Sequence, residues 1–118
     1  MITIEEIASA ILNGQALQVR SLVQDWMSGT RHERDASQPA SGDARLLAVA
    51  ASVAELLGER TGDGSPAWTE SVRSLAEPLY LVRAAANMPR LRALCEKESP
   101  SAFRKRSIFT PPNYLTFA

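Results

Sequence analysis

The chain holds one cysteine and one histidine in 118 residues. It has no apolar run close to the roughly 20 residues that cross a bilayer. Each scarcity removes a class of function. A lone Cys95 cannot close an intramolecular disulfide. Set beside Leu94 in a helical pattern, it reads as a small core thiol in a reducing compartment. One histidine and one cysteine cannot supply the common zinc sets. An all-carboxylate site would have to draw on Glu5 and Glu6, Glu55 and Glu59, or Glu96 and Glu98, and these pairs read as solvated helix faces. A serine or cysteine nucleophile needs a base within hydrogen-bond reach. His32 lies in a polar stretch where a solvated loop residue is expected. No catalytic residue, cofactor or metal is therefore expected, and the chain is read as non-enzymatic. The opening Met1-Ile2-Thr3-Ile4-Glu5-Glu6 is acidic and lacks the basic start of a signal peptide, so a cytoplasmic location is expected.

Strand signals are nearly absent as well, Ile108-Phe109 being the one extended-looking pair. Helical signals are plentiful. Thr3 to Glu6 forms a capping box, in which the threonine hydroxyl and the glutamate carboxylate satisfy each other's backbone amides. Ile4, Ile7, Ala8, Ile11 and Leu12 follow at spacings of three and four, which puts them on one helical face. Asn13-Gly14 supplies a left-handed end. Val19, Leu22, Val23, Trp26 and Met27 make a second stripe, closed by Gly29, so an antiparallel hairpin is expected. Residues 29–43 are polar and lack a periodic apolar residue, which predicts a mobile surface loop. Leu46 to Leu57 is apolar around most of its circumference. It predicts a central helix buried on more than one side, with Asp43 as its cap.

Beyond Gly62 the chain changes character. Ser65-Pro66, Glu77-Pro78, Met88-Pro89 and Ser99-Pro100 recur about every eleven residues. Proline suits the first helical position, where its missing N–H would be unpaired anyway. Short helices are predicted from Pro66 to Leu75, Pro78 to Asn87, Pro89 to Lys97 and Pro100 to Arg106. Leu91, Leu94 and Cys95 are the expected apolar positions of the third. The fold class expected is all-α: one domain over residues 1–118, a compact bundle of about six to seven mostly short helices. A Pro/aromatic tail over residues 107–118 is expected to be extended. With 45% apolar and 22% charged residues, a modest core is available without disulfides or metal.

The net charge of zero hides a division. Arg83 to Ala118 carries seven basic and two acidic residues, while Met1 to Val82 carries six basic and eleven acidic, so the two parts are +5 and −5. Such a division speaks to partners rather than to fold. The basic part contains Arg104, Lys105 and Arg106 next to Phe103, and then Phe109, Tyr114 and Phe117. Arginine and aromatic anchors dominate many protein interfaces, and the same groups can hold phosphates and stack on bases. The tract is only three residues long, and cations in a last helical turn also serve the helix dipole. The tail aromatics could equally cover the acidic part's own core.

Gly62-Asp63-Gly64-Ser65 lacks the Lys-Ser/Thr ending of a phosphate-binding loop and follows a helix rather than a strand. It has the Gly-Ser of nucleotidyltransferases without the acidic pair that holds magnesium there, since the next acids are Glu70 and Glu77. An ordinary interhelical loop is the expectation.

Pro66-Ala67-Trp68-Thr69, Glu77-Pro78-Leu79-Tyr80-Leu81-Val82, Met88-Pro89-Arg90-Leu91-Arg92-Ala93-Leu94-Cys95-Glu96, Ser99-Pro100, Arg104-Lys105-Arg106 and Pro111-Pro112-Asn113-Tyr114-Leu115 together resemble a family of small all-helical bacterial proteins. These are encoded beside nucleotidyltransferase-like proteins in an arrangement similar to a toxin–antitoxin pair. The resemblance covers most of the chain, and the C-terminal half carries its more specific part. It implies a binding partner, an antitoxin-like neutraliser of a nucleotidyltransferase-like toxin, and it transfers no catalytic residue. The expected partner-binding residues are Arg104, Lys105, Arg106, Phe109, Tyr114 and Phe117. A nucleic-acid-binding regulator using the same basic tract is the alternative, and a homodimer mating acidic and basic parts stays open.

Overall fold

The capping box at Thr3 forms as the sequence predicts: the Glu6 amide donates to the Thr3 hydroxyl at 3.1 Å, and the Thr3 amide donates to the Glu6 carboxylate at 3.3 Å. It starts helix α1 (Ile4–Leu12), which ends at Gly14 with φ +69°. Helix α2 (Ala16–Ser28) turns back against it and buries Val19, Val23 and Trp26. The computed structural model describes residues 2–116, leaving aside the side chains of Arg83 and Ala86. Phe117, one of the expected partner-binding residues, lies outside the described residues.

Helix α3 (Ala44–Thr61) is the central element. Asp43 caps it by accepting from the Arg45 amide at 2.9 Å, and Gly62 ends it in the left-handed region at φ +81°. It buries Ala48 to Ala54 without a break, together with Leu56, Leu57 and Gly58, and so meets neighbours on several sides. Gly58 has a specific reason to be glycine. A Cβ there would stand 2.2 Å from the Gly64 carbonyl oxygen, because the turn after α3 folds back onto the helix at that point. The Gly64 amide donates to the Gly58 carbonyl at 3.0 Å and fixes that approach.

The polar segment 29–43 carries short regular structure. A 3-10 turn at Arg31–Glu33 leads into strand β2 (Arg34–Asp35), which pairs in parallel with strand β1 (Ile2–Thr3). The Arg34 guanidinium donates to the carbonyls of Trp26 at 2.7 Å and Gly29 at 2.7 Å, so it closes the C-terminal end of α2.

The fold is mostly helical but not all-α: besides the β1–β2 pair, a second parallel pair draws on residues 66–88. Two of the predicted proline-led helices reduce to 3-10 turns at Ala67–Ser71 and Arg83–Ala86. Between them strand β3 (Leu79–Tyr80) pairs in parallel with strand β4 (Ile108–Phe109). The amides of Leu75, Leu79 and Leu81 donate to the carbonyls of Arg106, Ser107 and Phe109. Proline also holds the residue before it out of the helical region, so a stretch already interrupted at Pro66 and Pro78 finds its backbone partners in the tail. The last two predicted helices do form, as α4 (Pro89–Glu98) and α5 (Ser101–Arg104).

One core joins these parts. Phe103 and Ile108 are completely buried, and Leu115 nearly so, in the same cluster as Ile4, Ile7, Val23 and Leu57. The tail up to Thr116 is therefore docked. The Thr110 amide donates to the Ser99 hydroxyl at 2.8 Å, and Ser99 donates to the Cys95 carbonyl. The radius of gyration, 13.4 Å, is that of a compact chain, for which about 13.5 Å is expected at this length. No helix among the described residues is long and apolar enough to cross a membrane.

Candidate interaction surface

The basic triplet does not form one patch. Arg104 is exposed and donates to the Lys97 carbonyl at 2.7 Å, tying α5 to the end of α4. Lys105, its side chain 55% exposed, meets Glu55 at 2.7 Å. Arg106 points inward and is only 2% exposed. It reaches the other Glu55 oxygen at 2.6 Å and donates to the carbonyls of Ala102 at 2.9 Å and Thr69 at 2.8 Å. A buried guanidinium must be paired and hydrogen-bonded, and this one joins α3, α5 and the Ala67–Ser71 turn. Arg106 is thus an interior group rather than a partner-facing one.

Glu55 changes character with it. Read as part of a solvated face, it is instead largely enclosed, with 11% of its side chain exposed. Burial pushes its carboxyl up, but the hydrogen bonds and charges of Arg106 and Lys105 outweigh that and hold it below the ordinary range. The one charged residue in the largely apolar Ala48–Leu57 run was the available sequence signal, because a charge on a buried face needs a counter-charge.

The predicted aromatics separate too. Phe109 is half-buried and stacks on Tyr80, with ring centroids 5.3 Å apart and planes tilted by 34°. Arg92 also packs over Tyr80, its guanidinium carbon 5.0 Å from the ring centre. The Tyr80 hydroxyl donates to Glu96 at 2.5 Å, and Arg92 meets the same carboxylate at 3.3 Å. The Tyr80 hydrogen bond is the main cause holding the Glu96 carboxyl below its usual range. Tyr114 sits elsewhere. It packs edge-on against Phe103 at 5.6 Å, and burial pushes its hydroxyl up to about 12. It forms a wall of an apolar groove of about 380 Å³ between the α1–α2 turn and the tail.

Helix α4 was missed as a surface. Cys95 is its one buried residue, and burial pushes that thiol up, away from reactivity. Leu94, expected in the core, is 42% exposed, and Met88 in front of the helix is 53% exposed. Leu91, Leu94 and Cys95, at spacings of three and four, share an arc of about 100°, but the shallow contact α4 makes covers only the Cys95 edge of that arc fully and leaves Leu91 half-buried. Arg90, Arg92, Ala93 and Lys97 are exposed around them. The outcome is a short helix whose cations and apolar side chains both face outward, next to the Tyr80–Phe109 ladder. The signal available in sequence was its composition: five charged residues in ten, flanked by proline at Pro89 and Pro100.

His32 is exposed in the Arg31–Glu33 turn, and no group of three or more metal-ligating side chains gathers among the described residues. No protein-family model, no curated protein and no solved structure matches the chain.

Proposed function

We propose that this chain is a non-catalytic protein-interaction module that docks on a partner protein through α4 and the adjoining Tyr80–Phe109 ladder, with Arg104 at the edge. The observation that carries the proposal is the imbalance of α4: ten residues, one of them buried, with Met88 and Leu94 left in solvent beside Arg90 and Arg92. Tyrosine and arginine are the residue types that concentrate binding energy at interfaces, and exposed apolar side chains at the centre of such a face add desolvation. Of the residues expected from sequence, Arg104 and Phe109 belong to this reading, Lys105 is held on Glu55 of α3, and Tyr114 borders a separate groove. The partner implied by the family resemblance is a nucleotidyltransferase-like protein, with this chain as its antitoxin-like neutraliser. Co-purification of tagged protein from native lysate under nuclease tests it. One stoichiometric protein retained by the wild type and lost by Met88→Glu or Leu94→Glu supports the proposal, and equal retention by both variants contradicts it.

A second reading rests on the stacking of Arg92 on Tyr80 and Tyr80 on Phe109. A guanidinium–aromatic ladder with Arg90, Lys97 and Arg104 nearby suits single-stranded nucleic acid, where bases stack and cations hold phosphates. It requires affinity that falls steeply with salt, and a shallower slope once Arg92 and Lys97 are neutralised. Salt-independent binding, or none, rejects it.

A further inference from the structure

Four exposed residues of α4 share one direction. Arg90, Ala93, Leu94 and Lys97 stand at i, i+3, i+4 and i+7, and all four are in solvent. They fall within an arc of about 100°, and the two cations are two turns, about 10.5 Å, apart along the axis. The centre of this face is apolar and its ends are positive. Neither end is neutralised within the molecule. Arg92 takes up Glu96, while Arg90 and Lys97 form no ion pair among the described residues. Glu98 lies about 80–100° further round the helix from them. An i, i+3, i+4, i+7 set is the contact surface of one helix on another, and alanine beside leucine leaves a notch for a partner's side chain.

The charge pattern selects the occupant. A second copy of α4 laid antiparallel would set Arg90 against Lys97, and like charges facing each other across an interface repel. No helix among the described residues carries two exposed acids seven residues apart, so the chain's other helices do not supply the complement. A single-stranded nucleic acid would meet both cations, but Ala93 and Leu94 between them give a base no ring to stack on. The face is matched by a helix with carboxylates two turns apart and an apolar residue between them.

We infer that α4 receives one acidic amphipathic helix of a partner protein, laid alongside it. The two carboxylates sit on Arg90 and Lys97, and the apolar residue packs over Ala93 next to Leu94. This assignment, which rests on the docking role proposed for α4, makes Arg90 and Lys97 the residues that select the partner.

Nitrogen–proton correlation spectra of the full chain, read at the Ala93 and Leu94 amides, test this with an alanine-rich peptide of about 20 residues, long enough to hold a helix by itself. The peptide carries two glutamates seven residues apart with a leucine between them on the same face. A control of the same composition has both glutamates on the face opposite the leucine. The matched peptide is expected to move both amides saturably and to bind about tenfold more tightly than the control, the scale of two exposed ion pairs. Arg90→Glu combined with Lys97→Glu should lose that preference and regain it for a peptide with lysines in place of the glutamates. Both positions are exposed, so the double variant keeps the melting temperature. Unmoved amides, equal binding of the control, an unchanged double variant, or tighter binding of oligothymidylate overturns the assignment. The double variant also separates this failure from failure of the docking role. A lysate partner lost by Leu94→Glu but kept by the double variant removes the acidic helix and leaves the docking role standing, whereas a partner kept by both removes the docking role.

Discussion

Helices α3 and α4 divide the molecule's work. The first buries ten of its eighteen residues and the second one of its ten. The first is apolar nearly all round and touches α1, α5 and the Ala67–Ser71 turn. The second is charged on much of its circumference and touches chiefly the neighbouring Arg83–Ala86 turn. A helix packed on every side contributes stability. A helix attached by one side, with its leucine and arginines outside, contributes surface. The acidic and basic parts of the sequence do not follow this division, since Phe103, Ile108 and Leu115 of the basic part share the core with α3, and Arg106 on Glu55 is the buried polar link from the basic tract to that helix.

Breaking that link should have the largest effect. Arg106→Ala leaves Glu55 enclosed with only Lys105 to pair it, and removes the side-chain donor to the Ala102 and Thr69 carbonyls, the latter keeping only the Val72 amide. Removing one partner of a buried pair costs about 3–5 kcal/mol, measurable by urea unfolding, and the loss should be smaller for Arg106→Met combined with Glu55→Leu. Leu57→Ala, toward the C-terminal end of α3, should cost about 2–5 kcal/mol by the same measurement, because the residue is fully enclosed. Gly58→Ala should cost about 1–3 kcal/mol, since the methyl would strike the Gly64 carbonyl and force the turn away.

Acid sensitivity sharpens the contrast further. The folded Glu55 carboxyl sits below its ordinary value of 4.5. Its contribution is therefore complete above that value and is lost as pH falls through the lower folded value. Glu55→Gln should flatten this part of the stability-against-pH curve and leave the neutral-pH melting curve lower. A variant with the wild-type acid slope would show that the pairing does not exist in solution. At the small end, Leu94→Ala should change stability by no more than about 0.5 kcal/mol, the usual scale at an exposed position.

The same division governs what the sequence made legible. The capping box at Thr3, the left-handed end at Gly14, the cap at Asp43 and the enclosed run of α3 are local signals, and each appears where it was read. Pro89 and Pro100 likewise marked the starts of α4 and α5. The segment from Pro66 to Met88 was misread as helical because its backbone partners lie some thirty residues on, in the tail around Arg106 to Phe109. Nothing local announces a two-residue parallel pairing. Ile108-Phe109 looked extended and is, but its partner Leu79-Tyr80 looked like the start of a helix. The basic triplet was legible as charge and not as position. Arg104, Lys105 and Arg106 follow one another around a tight turn, with Ser107 at φ +62°. Which of three neighbours points inward is decided by Glu55, fifty-one residues earlier.

The most direct test compares wild type with Leu94→Glu in two readouts on the same preparation: thermal unfolding, and co-purification from native lysate treated with nuclease. The account predicts overlapping melting curves and the loss of one stoichiometric protein partner from the variant. A collapsed melting temperature with the partner retained would place α4 in the core and contradict it.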